Sequence, residues 1–247
     1  MRGWLLACCA LFTFTAAAGG AAQDLPSQTA ARDEQWKRCR SADEDIRIAG
    51  CAALIQTAAG TPSDEAVAHH NRATAYRNKR EYELALRDLD EAIALDPKFV
   101  DAVGDRGITL TALGRFADAI PDFTRVIALD PNSAYALYDR GLAYELMGLD
   151  DLALDDFSAA IALEPRDAHR FERRGTVYFR RHELDKALAD YEKALEFDPQ
   201  YAPALYGRGV VNAIKGDLAA SGADLAQAQH FQSDIADVMR RAGVREK

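Results

Sequence analysis

Five arginines and five aspartates recur at one spacing: Arg72 with Asp88, Arg106 with Asp122, Arg140 with Asp156, Arg174 with Asp190, and Arg208 with Asp224. A guanidinium and a carboxylate at fixed separation can serve as an acid–base couple, or can lock two segments together through paired charge-assisted hydrogen bonds. A catalytic couple has no reason to be copied five times along a chain, so these pairs are read as structural. The histidines offer little more. His69 and His70 are adjacent, so on a helix they point to different sides, and no third ligand stands at metal-binding spacing. No H-E-x-x-H, G-x-S-x-G or phosphate-binding glycine loop is present. No catalytic residue, metal or cofactor is therefore expected, and the chain is read as not an enzyme.

The elements that carry these residues follow from a repeat. Asp-Pro, once Glu-Pro, closes successive blocks at Pro97, Pro131, Pro165 and Pro199, giving blocks 64–97, 98–131, 132–165, 166–199 and a weaker fifth, 200–233. Each arginine of the set is followed by a small residue (Ala73, Gly107, Gly141, Gly175, Gly209), and Ala recurs at 85, 119, 153 and 187. Within a block, two stretches carry apolar residues at helical spacing, such as Phe116, Ala119, Ile120, Phe123, Val126 and Ile127. Leu113-Gly114, Met147-Gly148 and Lys215-Gly216 mark the turns between them, and the closing proline ends the second helix. In an antiparallel pair, residues equidistant from the turn lie level. Gly107 is then expected to face Ala119, and Gly141 to face Ala153, while each Arg–Asp pair lies one residue further on. Pro121 falls inside a second helix and is expected to remove one hydrogen bond there.

A period of 34 residues, with glycine and an aromatic in the first helix, alanine and an aromatic in the second, and a closing proline, resembles the tetratricopeptide repeat. The resemblance covers residues 64–233. It departs from the pattern where Arg precedes the glycine, at Pro121, and in the fifth block. It implies an all-α fold, a right-handed α-solenoid of antiparallel helix hairpins whose first helices line a concave groove that binds a protein or peptide. The implied groove residues are Asp101, Asp105, Ile108, Tyr135, Tyr138, Asp139, Leu142, Arg173 and Tyr206, with His70, Asn71, Thr74, His169 and Val210 on the same face. The tyrosines would stack on a peptide and the acids would favour basic residues. The family's carboxylate clamp is rejected, because acids stand at 105 and 139 where it needs bases.

The flanks read as caps and a targeting segment. Residues 33–60 are expected to form a further helix pair, with Ser41 and Glu44 as a capping box, and 234–247 a capping helix started by Ser233. Residues 23–32 are expected to be disordered. Residues 1–22 read as a signal peptide: Arg2, then an apolar run from Trp4 to Thr15, then small residues. Cleavage is placed after Ala22, with Ala18 as the other site. Leu5-Leu6-Ala7-Cys8 opens the apolar run, most of which follows it, rather than closing that run, which argues against lipidation. The mature chain keeps Cys39 and Cys51, read as a disulfide, with two buried thiols as the other reading. The bridge asks for a loose connection or a steep crossing between the two helices. A net charge of −9 without a basic cluster speaks against nucleic acid. The expected location is the periplasm or beyond, with no stable membrane span once the signal is removed. Two alternatives to a groove-binding adaptor are a self-associating envelope scaffold and a thiol-redox protein using Cys39 and Cys51.

Overall fold

A computed structural model describes residues 25–57 and 60–244. The expected signal peptide and the last three residues of the chain lie outside these. The described residues form helices and no strand. α1 (Leu25–Cys39) and α2 (Glu44–Thr57) precede five hairpins. These are α3 (Pro62–Asn78) with α4 (Tyr82–Leu95), α5 (Val100–Ala112) with α6 (Phe116–Leu129), and α7 (Ala134–Leu146) with α8 (Asp150–Leu163). Then come α9 (Ala168–Arg180) with α10 (Leu184–Phe197), α11 (Ala202–Lys215) with α12 (Leu218–Phe231), and finally α13 (Ile235–Arg241). Each helix packs chiefly on its neighbours in sequence, and the first helices also touch from one hairpin to the next. This is an all-α solenoid of helical hairpins.

Local chemistry sets the boundaries. Thr61 caps α3 through a reciprocal box with Asp64, and Pro62 opens the helix. Every hairpin turn needs one residue in the left-handed region. Gly114, Gly148 and Gly216 supply it without strain, whereas Arg80 and His182 adopt it at φ of 62° and 60°. At the block ends, the carboxylates of Asp96, Asp130 and Asp198 each accept a hydrogen bond from the amide two residues on, bridging over the proline. Pro121 lies within α6, which continues to Leu129.

The hairpins close through a tighter contact than a meeting of small residues. A Cβ at Gly107 would lie 2.7 Å from the Phe123 ring, and one at Gly141 would lie 2.9 Å from Phe157. The first-helix glycine is thus a socket for the second-helix aromatic, and the expected Gly107–Ala119 and Gly141–Ala153 contacts are not the nearest ones. Phe123, Phe157 and Tyr191 are almost wholly buried there.

Three expectations at the flanks are corrected. α1 begins at Leu25, so most of the stretch expected to be disordered is helical, and Arg32 ties it to Asp64 at 2.9 Å. Asp43, not Ser41, starts α2: its carboxylate accepts from the Ile46 amide at 3.0 Å, while Ser41 Oγ accepts from Asp43. Asp234, not Ser233, is the residue before α13. Cys39 and Cys51 form a disulfide with Cα atoms 4.5 Å apart. Gly50 permits this approach, because a Cβ there would stand 2.6 Å from the Cys39 backbone nitrogen.

Two substitutions test the packing and the turns. Gly141→Ala should destabilise by roughly 1–3 kcal/mol, because the Phe157 ring already fills the socket. His182→Gly should stabilise by up to about 1 kcal/mol by relieving the left-handed turn. Urea midpoints read both, and a neutral Gly141→Ala would refute the socket.

Candidate functional site

The five Arg–Asp pairs join first helix to second in every hairpin. Arg72 Nε and Nη2 donate to Asp88 at 2.7 and 2.6 Å, and Arg140 donates to Asp156 at 2.8 Å through both nitrogens. Arg106, Arg174 and Arg208 make the same fork on Asp122, Asp190 and Asp224. All five carboxylates are buried. Burial pushes the Asp88 carboxyl up, but Arg72 and His69 outweigh it and hold it below the usual carboxylate range. These are structural locks, and they fix which face each first helix turns away from its partner.

That face carries a cleft of about 450 Å³ between α5 and α7, reached by His70 of α3. Asp101, Asp105, Ile108, Tyr135 and Asp139 line it. Ile108 is 38% exposed and Tyr135 68%, and the Arg170 guanidinium stands over the Tyr135 ring at 5.3 Å. Tyr138 is half-buried against Phe157, its ring 5.7 Å away, and burial raises its phenol. Asp101 is exposed and Leu142 half-buried.

The two central acids differ. Asp105 accepts hydrogen bonds from His70 Nε2 at 2.9 Å and Arg77 Nη1 at 2.6 Å. Burial opposes its ionisation, but His70 and Arg77 win and hold it below the ordinary range. Among the described residues Asp139 has no such partners. Burial pushes its carboxyl up to about 6, against the longer-range pull of Arg77 and Arg170 and with the repulsion of Asp105.

Toward the C-terminal end the face carries a second cleft, of about 310 Å³, where Glu145, Arg173 and Arg180 meet Val238 and Met239 of α13. Arg173 is held charged against burial by Glu172, 3.7 Å away, and by Glu145. Arg180 reaches Glu145 at 3.0 Å and Asp150 at 2.6 Å. Tyr206 and Val210 were expected to face the groove and do not: they are 5% and 0% exposed. α13 packs on α11, and Ile235, Met239 and Val244 join Leu205, Tyr206 and Val210 in one core cluster. Of the other candidates, His169 is exposed and contacts Tyr201. Asn71 donates toward Cys39 Sγ at 3.9 Å, and Thr74 donates to the His70 carbonyl. Arg77, Thr111 and Glu145 were missed. They stand at one register position of three successive blocks, so the repeat itself could have revealed them.

The raised Asp139 carboxyl has a stability consequence. An unfolded aspartate titrates near pH ~3.9, so between about pH 4 and 6 the folded chain holds the extra proton and stability falls as pH rises. The cost is complete above about pH 6 and absent below about pH 4. Asp139→Asn should therefore gain on the parent by on the order of 2 kcal/mol at neutral pH, with the gain fading toward about pH 4. Denaturant titrations at both pH values check it; a variant weaker than the parent at neutral pH would contradict the assignment.

Comparison with known proteins agrees with this geometry. The family described as "Tetratricopeptide repeat" matches residues 70–133 and 105–168, and that described as "TPR repeat" matches 175–216. Together they span more than half of the chain. Among solved structures, MamA is 27% identical over 67% of this chain and 96% of its own, with a TM-score of 0.60. MamA 41-end from Desulfovibrio magneticus RS-1 is 25% identical over 72% of this chain and 97% of its own, at 0.58. YrrB, described as a TPR protein with an unusual peptide-binding site, is 23% identical over 77% and 97%, also at 0.58, and shares the fold. No curated protein matches. A 34-residue hairpin repeated five times, each hairpin closed by an aromatic in a small-residue socket or its aliphatic counterpart, places this chain in the tetratricopeptide-repeat family.

Proposed function

We propose that this chain is a non-catalytic adaptor of the bacterial periplasm that holds a peptide or helix of a partner protein on the concave face of its first helices. The family fold suggests protein–protein interaction. The observation that carries the groove reading is the α5–α7 cleft, where exposed Tyr135 and Ile108 flank a carboxylate that no hydrogen bond reaches among the described residues. A large aromatic left in water beside an apolar wall is surface suited to a partner chain. The peptide-binding description of YrrB is in keeping with such a use of the fold. The periplasmic location rests on the signal-like residues 1–22, and the Cys39–Cys51 disulfide favours an oxidising compartment.

The thiol-redox alternative is disfavoured by burial. Exchange needs a thiolate to reach a sulfur, and both cysteines are fully buried. The scaffold alternative keeps one specific support. Leu146, Met147, Leu149 and Leu152 make an exposed apolar tip on the third hairpin. At the place of Met147, other hairpins carry Lys79, Arg181 and Lys215, paired with Asp45, Asp151 and Asp185.

Affinity capture from an envelope extract of the source organism tests the adaptor, comparing the mature chain with an Ile108→Ala/Tyr135→Ala variant. Both side chains are exposed, so the variant should fold. The parent should retain a partner that the variant loses by about tenfold or more, as expected for a truncated contact centre. Equal capture would refute the groove. Light scattering tests the scaffold: a concentration-dependent oligomer abolished by Leu152→Glu would establish it, and a monomer at high concentration would remove it.

A further inference from the structure

We propose that the α5–α7 cleft receives one basic side chain, arginine or lysine, of an apolar partner segment, with Asp139 as its counter-charge. This rests on the groove reading above and names the chemistry of the occupant.

The argument comes from a charge rule in the repeat. The eighth residues of successive blocks are Asn71, Asp105, Asp139, Arg173 and Gly207, and the fourteenth include Arg77, Thr111 and Glu145. The fourteenth residue of one block serves the eighth of the next. Arg77 donates to Asp105 at 2.6 Å. Two blocks on the signs are exchanged, and Glu145 acts on Arg173. Between these two pairs, Asp139 should be served by residue 111. That residue is a threonine, and its hydroxyl is spent on the Gly107 carbonyl of its own helix at 2.9 Å. The chain therefore withholds the partner at one block only.

Arg77 and Arg170 pull on Asp139 from a distance, but neither bonds it. Among the described residues no hydrogen bond or ion pair reaches the Asp139 carboxylate. Arg77 is engaged by Asp105, and Arg170 by Glu164 at 2.7 Å and Asp167 at 3.0 Å. Asp105 and exposed Asp101 add negative charge to the same cleft. A half-buried carboxylate without a bonded counter-charge is best completed by a guanidinium or ammonium, whose charge-assisted bonds replace its lost hydration. Among the described residues no three acids, histidines or cysteines come close enough together to hold a metal ion, so a basic side chain rather than a divalent cation fits the cleft. Ile108, Tyr135 and Val100 line the rest of the cleft, so apolar residues should flank the basic one.

Acetylated, amidated Ala-Leu-Arg-Leu-Ala, and the same peptide with citrulline for arginine, separate charge from shape. Both are titrated into the labelled mature chain and followed by NMR. The arginine peptide should bind about tenfold tighter, the scale of one charge-assisted bond. Asp139→Asn should erase that preference. Thr111→Arg should erase it too, by building internally the pair that Arg77 makes with Asp105. Equal binding of the two peptides, no binding of the arginine peptide, or a preference that survives Asp139→Asn would overturn the proposal. Tyr135→Ala separates the two levels. If it weakens both peptides equally while Asp139→Asn weakens neither, the groove stands and the basic-residue inference falls. If neither variant has an effect, both fall.

Discussion

The buried arginine–carboxylate fork is the constraint on which the rest of this structure depends. A carboxylate taken out of water and stripped of its partner costs about 3–5 kcal/mol, so a hairpin cannot slide by a turn without that penalty. The same fork recurs in all five hairpins, with both donor nitrogens engaged each time. Beside it, the first-helix small residue receives the second-helix aromatic or leucine. In four of the hairpins that small residue is glycine: the fork fixes register and the socket fixes distance. Helices related by one register present the same positions to the same face, block after block. A groove with a regular row of side chains is a consequence of that lock.

Regularity then makes departures informative. Along the first-helix face, an acid or base in one block is answered by the opposite charge in the block before it. Arg77 with Asp105 and Glu145 with Arg173 obey this with reversed sign. Thr111 breaks it, and the cost falls on Asp139, whose carboxyl burial pushes up to about 6. A protein that keeps an unanswered charge in a cleft carries a stability cost that a partner can remove. At the other end α13 buries the first-helix positions of the last hairpin in one core cluster.

Much of this was legible in the sequence. The closing prolines and the Arg–Asp spacing gave the hairpins, their turns and the helices that face each other. What was not legible has physical reasons. Level backbones do not say which side chain is large enough to cross the gap, so Gly107 met Phe123 rather than Ala119. Tyr206 and Val210 follow the groove pattern of their block, but they are covered by α13, which lies outside the repeat. Ser41 and Asp43 are both good caps, and only the loop geometry chose between them. The close approach that lets Cys39 meet Cys51 was written in Gly50, a residue without a side chain to draw notice.

Site-specific photocrosslinking in intact cells of the source organism tests the central claim most directly. A benzophenone amino acid is placed at Tyr135 in the cleft, or at Leu152 on the exposed tip of the third hairpin. The account predicts a discrete adduct with another protein from position 135, absent from position 152 and diminished by Thr111→Arg. Adducts from position 152 alone would place recognition on the outer tip and contradict it.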